Sequence, residues 1–227
     1  MEKFDLPSYP DFFIVGAPRC GTTFMYEYLS RHPQIFMSPA KEPQYFATDL
    51  DSGSYLDSLT FLRDRNRYLS LFEGAQPGQL TGEGSTWYLY SREAARNIKA
   101  ANAEARIIIM LRDPVEMLYS LHGRRVYGGS EDLLNFGDAL AAEEDRKRGL
   151  RMPARARNIQ ALFYRDVGRY TEQVQRYLDT FGQEQVQVII FEEFRADPAT
   201  AYRETLEFLG VDPTVVPDFE VVNAGAE

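Results

Sequence analysis

The sequence predicts an α/β fold: one three-layer domain built on a central parallel sheet, with a phosphate-binding loop after its first strand. Three observations predict it. Phe12 to Val15 form an apolar, β-prone run, which Gly16-Ala17-Pro18-Arg19-Cys20-Gly21 breaks into a loop before Thr22 and Thr23 open a segment with helical spacing. Arg106-Ile107-Ile108-Ile109-Met110-Leu111 is an apolar run without alternation, as a parallel strand covered on both faces requires. Strand-like and helix-like segments then alternate along the chain, the pattern of a doubly wound sheet.

The other elements follow in order. The first helix runs from about Thr22 to Ser30, because Pro33 in Arg31-His32-Pro33 excludes helix at the residue before it. Gln34 to Met37 reads as a short strand and Ser38 to Phe46 as a loop. Scattered apolar positions over residues 49–79 (Tyr55, Leu59, Leu62, Tyr68, Leu71, Phe72) predict helix, ending at Gly74 and Pro77-Gly78. Leu80 to Glu83 reads as a strand and Arg92 to Ala101 as a helix. The strand at Arg106–Leu111 ends in Arg112-Asp113-Pro114, and a helix follows over Val115 to Arg125. Ile159 to Phe181 predicts one long amphipathic helix, with Leu162, Phe163, Val167, Tyr170, Val174, Tyr177 and Leu178 near one stripe. Val186 to Phe191 reads as another core strand, and Pro198 opens a last helix that reaches Gly210.

Composition bounds the function. At 227 residues and 44% hydrophobic, residues 1–227 read as a single domain with a sizeable core. A net charge of −9 argues against general nucleic-acid binding, so any anion site must be local. The most basic stretch, Arg146-Lys147-Arg148 with Arg151, Arg155 and Arg157, is either a solvated helix and loop or a lid or groove for an acidic acceptor. Cys20 is the one cysteine, which excludes an intramolecular disulfide and a multi-cysteine zinc site. Met1 to Pro10 is polar and no apolar run approaches ~18 residues, so a cytoplasmic protein without membrane insertion is expected.

The loop from Gly16 to Thr23 is nearly a Walker A motif. Thr22 stands where the lysine belongs, and the cation is Arg19, two residues before Gly21. Backbone N–H groups at such a helix start converge on an anion. The plainer alternative is a tight strand-to-helix turn with incidental glycines. Cys20 is not read as a phosphatase-like nucleophile, because that loop needs C-x5-R order and the nearest arginine precedes the cysteine. A second anion site is available at Arg112 and, eight residues on, Ser120. No apolar strand ends directly in Asp, so the magnesium site of a nucleoside triphosphatase is not supported. Glu42, after Lys41, is a candidate base or else a surface carboxylate paired with that lysine. His122 is a rival base, although a lone histidine on a helix is more often structural. His32 reads as a helix-terminal residue. Glu83 and Tyr88 either line the acceptor side or mark a strand end.

These motifs, in this order, resemble those of sulfotransferases that use 3'-phosphoadenosine 5'-phosphosulfate (PAPS). The likeness is nearest to the heparan sulfate N- and 3-O-sulfotransferase branch and its bacterial relatives. Gly16-Ala17-Pro18-Arg19-Cys20-Gly21-Thr22-Thr23 resembles the 5'-phosphosulfate loop, with Arg19 in place of the commoner lysine. Leu111-Arg112-Asp113-Pro114-Val115 with Ser120 resembles the 3'-phosphate motif. Lys41-Glu42-Pro43-Gln44-Tyr45-Phe46 is similar to the segment that carries the general base. Phe191-Glu192-Glu193-Phe194, Asp197-Pro198 and Phe208-Leu209-Gly210 resemble a later signature, and the likeness spans roughly Phe12 to Pro213.

The resemblance implies the nucleoside-triphosphate-hydrolase-like sulfotransferase fold and PAPS as co-substrate. It places cofactor binding on Arg19, Cys20, Gly21, Thr22, Thr23, Arg112 and Ser120, and catalysis on Glu42 and Arg19, with no metal expected. The acceptor is then a small molecule or carbohydrate offering a hydroxyl or amine. Two departures stand out. Arginine keeps the charge of lysine but has a rigid fork and cannot give up a proton. The family's glycine- and lysine-containing loop over the 3'-phosphate and adenine is not found before Glu227, so a domain without that covering segment is expected. Two other functions compete. A P-loop nucleotide kinase would need a phosphate lysine and a magnesium carboxylate. A nucleotide-binding module without activity would need neither.

Overall fold

Every residue of β1 (Phe12–Gly16) is buried, and the sheet is built outward from it. The computed structural model describes residues 8–51, 60–217 and 219. After β1 come α1 (Thr22–Ser30), β2 (Ile35–Met37), α2 (Arg65–Ser70), β3 (Leu80–Gly84), α3 (Ala94–Ala101) and β4 (Arg106–Leu111). The second half holds α4 (Pro114–Tyr127), α5 (Phe136–Ala141), α6 (Glu143–Lys147) and a 3-10 turn at Ile159–Leu162, with another at Gln183–Gln185. It continues with α7 (Tyr164–Val167), α8 (Tyr170–Phe181), β5 (Val186–Ile190), α9 (Phe191–Ala196) and α10 (Pro198–Leu209).

Five parallel strands lie in the order β2-β3-β1-β4-β5. From β1 the chain goes to β2 and β3 on one side, then crosses to β4 and β5 on the other. The carboxyl ends of β1 and β4 therefore adjoin where the winding reverses, the place where open α/β sheets bind ligands. Tight packing under β1 depends on Gly82: a Cβ there would lie 2.2 Å from Phe12 Cζ and 2.6 Å from Met37 Sδ. Among the described residues no helix is long and apolar enough to cross a membrane.

Several sequence expectations are corrected. Over residues 60–79 the one α-helix is α2; Tyr55 and Leu59 lie outside the described residues. The reason is Arg63, whose guanidinium donates to the carbonyls of Gln44 at 2.6 Å, Tyr45 at 3.0 Å and Ala47 at 2.9 Å. That holds the chain extended until Asp64 caps α2 by accepting from the Arg67 amide at 2.7 Å. Helix α3 starts at Ala94 rather than Arg92, because Ser91 Oγ accepts from the Glu93 and Ala94 amides at 3.2 and 3.0 Å.

The expected long helix over 159–181 is divided into the 3-10 turn, α7 and α8. Phe163 (ψ 67) and Arg169 (ψ 63) leave helical geometry at the two breaks. Tertiary contacts override the periodicity there: Tyr164 donates to Glu131 at 2.9 Å, and Gly168 sits where a Cβ would be 3.2 Å from Leu118 Cδ1. β5 is the last strand of the sheet, so its apolar run is only partly core; Val188 and Ile190 remain 42% and 39% exposed. In the basic stretch, Arg146 to Arg148 are paired with carboxylates. Arg146 is fully buried against Glu131, at 2.7 and 2.6 Å. Lys147 pairs with Glu143 and Asp166, and Arg148 with Asp145.

Candidate active site

The site begins at the end of β1. Gly21 precedes α1 with φ +81, and a Cβ on it would meet the Phe191 ring at 2.7 Å, so the turn admits glycine on both conformational and steric grounds. The first intrahelical bonds of α1 are made by the Phe24 and Met25 amides to Gly21 O. The amides of Thr22 and Thr23 lie ahead of them and have no intrahelical partner, which makes this helix start a candidate anion site.

A cleft of about 590 Å³ opens over that helix start. Arg19, Gly21, Thr22 and Thr23 line one side; Arg112, Ser120, Arg124 and Arg125 line the side formed by β4 and α4; Glu42, Thr86 and Trp87 face in from two other loops. Phe191 and Arg195 of α9 complete it. The two expected anion motifs thus share one cleft, and they touch. Arg19, at φ 63, donates from Nε to Ser120 Oγ at 3.0 Å. Burial, then the like charges of Arg124 and Arg112, hold the Arg19 pKa below its usual value. Five arginines and one carboxylate line this cleft, a donor set that fits a ligand with several negative charges. Arg112 is steadied by Glu116 at 2.7 Å and lies 5.2 Å from the Phe191 ring centroid. Arg125 donates to the backbone carbonyls of Arg157 and Asn158.

Glu42 reaches the cleft from the loop after β2. Its backbone is fixed by φ 58 and by its amide, which donates to Gly84 O at 2.9 Å. The carboxylate accepts from Thr86 Oγ1 and Gln44 Nε2, both at 3.0 Å. Burial raises its pKa, against the opposing effect of those two bonds and of Lys41. The alternative of a surface pair with Lys41 does not hold: the Lys41 ammonium donates to Thr23 Oγ1 instead.

Other candidates fall away from the cleft. The Cys20 side chain is fully buried, donating to Pro18 O at 3.4 Å and facing Tyr170 Oη at 3.7 Å. Burial pushes its thiol up to about 12. The expectation that Cys20 meets the ligand therefore does not extend to its side chain. Glu83 and Tyr88 do not line an acceptor side. Both are buried; Glu83 accepts from Tyr68 Oη at 2.6 Å and Tyr88 Oη at 3.0 Å, and burial raises its pKa to about 7. His122 is buried with Nε2 on Leu133 O at 2.8 Å, and His32 is buried with Nε2 on Asp212 O at 3.0 Å. Among the described residues no group of three or more His, Cys, Asp or Glu is placed to hold a metal ion.

The sequence reading missed Thr86, Trp87, Arg124, Arg125 and Arg195. Arg124 carried a signal: it lies four residues after Ser120 on a helix, hence on the same face. Trp87 and Arg195 carried none, since only the sheet crossover brings the loop after β3 and helix α9 to the cleft.

Residues 9–223 match the family model described as a sulfotransferase domain. A sulfotransferase from Alicyclobacillus acidocaldarius has a solved structure that superposes with a TM-score of 0.84 and 38% identity, covering 95% of this chain and 87% of that one. The Homo sapiens bifunctional heparan sulfate N-deacetylase/N-sulfotransferase 3 is 29% identical over 90% of this chain, which spans 22% of that protein's length. The Mus musculus heparan sulfate glucosamine 3-O-sulfotransferase 3B1 is 27% identical over 89% of this chain and 46% of its own length.

Proposed function

The chain belongs to the sulfotransferase family, and from that premise we propose that it transfers a sulfuryl group from PAPS to a hydroxyl or amine of an acceptor molecule. One observation carries the reading: the loop after β1, the Arg112–Ser120 segment and Glu42, far apart in sequence, face one arginine-lined cleft. The donor supplies an activated sulfuryl group whose leaving group is a stable phosphate. Arg112 and Ser120 hold the 3'-phosphate. The amides of Thr22 and Thr23 and the Arg19 guanidinium hold the 5'-phosphate and offset the charge that builds on it in the transition state. Glu42 removes the acceptor proton as general base. Its raised pKa suits that task, because a base works best with a pKa near the operating pH. Phe24 and Trp87 give the cleft apolar faces for the acceptor, a small molecule or a carbohydrate.

The test is sulfur-labelled PAPS incubated with the protein and a panel of phenols, alkyl alcohols, hexosamines and oligosaccharides, with ATP and magnesium as a parallel donor. Label transferred to an acceptor, with release of adenosine 3',5'-bisphosphate (PAP), supports the reading. Phosphoryl transfer from ATP, or PAP binding without transfer to any acceptor, overturns it.

A further inference from the structure

We propose that Lys41 is a second catalytic cation, contacting the oxygens of the transferring sulfuryl group beside Glu42. The proposal rests on the sulfuryl-transfer reading above. A Walker-type loop carries a lysine where this chain has Thr22, and the loop's own cation is drawn the other way. Arg19 hydrogen-bonds Ser120 at 3.0 Å, and the arginines whose charges it feels are Arg124 and Arg112. Positive charge therefore gathers at the α4 side of the cleft. At the opposite side the cleft is lined by Thr23 and Glu42.

Lys41 fills that gap in charge. Its ammonium donates to Thr23 Oγ1 at the first turn of α1 and lies 5.6 Å from the Tyr26 ring centroid. Among the described residues its one hydrogen bond is the one to Thr23, and none of the ion pairs within 4.0 Å includes it. An ammonium has three N–H donors, so two remain beside a threonine that already lines the cleft.

During transfer, the acceptor atom forms a bond to sulfur as the bond from sulfur to the bridging oxygen breaks. The electron pair of that bond goes to the 5'-phosphate and the acceptor proton to Glu42. Lys41 exchanges no proton. It offsets the negative charge of the sulfuryl oxygens on the face that Arg19 leaves uncovered.

The test needs no acceptor. PAPS and PAP differ by the sulfuryl group alone, so calorimetric titration of both ligands reads contacts to that group. In Lys41→Met, PAPS affinity is expected to fall about tenfold to a hundredfold, the loss of a charge-assisted hydrogen bond, while PAP affinity stays within about twofold. Lys41→Arg is expected to recover most of the loss. A role confined to bracing the loop would not separate the two ligands. Equal weakening of both, or no change in either, overturns the proposal. Failure of the unmodified protein to bind either ligand instead overturns the functional reading, and Lys41 falls with it.

Discussion

Arg19 and Ser120, 101 positions apart, share a hydrogen bond from Nε to Oγ at 3.0 Å. That bond joins the loop after β1 to the helix after β4. It brings into one cleft two motifs that the chain carries in separate halves. Neither residue would approach the other without the parallel pairing of β1 with β4, in which Ile14 lies beside Ile108.

Replacing Ser120 or Arg112 by alanine is expected to weaken binding of PAP far more than binding of adenosine 5'-phosphate. Each charge-assisted bond to a phosphate is worth roughly 1.5–3 kcal/mol. Isothermal titration of both nucleotides decides it, and equal losses would remove the 3'-phosphate from this end of the cleft.

Glu42→Gln keeps size and hydrogen-bonding capacity and removes proton acceptance. Turnover should fall by roughly 10²–10⁴ with little change in PAPS affinity. His122→Ala serves as the control, because that ring is buried on Leu133 O. Loss of turnover in the histidine variant alone would reverse the assignment. A base acts when deprotonated, and burial raises the Glu42 pKa. Activity should therefore rise with pH through a midpoint above the ordinary carboxylate range and stay level beyond it.

Arg146→Met should lower stability by about 3–5 kcal/mol, because it strands a buried Glu131 carboxylate without its cation. Urea unfolding measures it, and replacing Glu131 by leucine in the same protein should restore much of the loss. Burial pushes the Glu131 pKa up, but Arg146, the Leu133 amide and Tyr164 together bring it below its ordinary value. Its contribution is thus present above the unfolded pKa and lost as pH falls through the folded one. The gap between the parent and Arg146→Met should narrow in acid.

Glu83 titrates in the opposite sense. Its carboxyl is buried and its pKa is raised from 4.5 to about 7. The stability it contributes is complete below pH 4.5 and lost as pH rises through about 7. Glu83→Gln keeps an acceptor for Tyr68 and Tyr88 and cannot ionise. Relative to this variant, the parent should lose about 1.4 kcal/mol per pH unit across that window. Parallel stability profiles from pH 4.5 to 7 would show that Glu83 stays ionised in the fold.

Local chemistry in the sequence determined the elements that surround the site. The run from Phe12 to Val15, the glycines at 16 and 21 and the uninterrupted Ile107–Met110 segment each specify their backbone from neighbouring residues alone. They predicted a parallel sheet with a glycine-bearing loop between its first strand and first helix, and the fold has both. Arg19, Glu42, Arg112 and Ser120 were legible as candidates because their residue types stand in recognisable motifs. Tertiary structure decided the rest. The apolar stripe over 159–181 is divided because Tyr164 and Gly168 answer to Glu131 and Leu118, partners from distant segments. Arg146 looked like surface charge and is buried, because Glu131 supplies the counter-charge that burial demands. Lys41 looked like the partner of its neighbour Glu42 and bonds Thr23 of α1 instead. Periodicity and motif report what a residue prefers from its neighbours in the chain. Which charge faces which depends on strand order and loop direction, and those arise only when distant segments pack together.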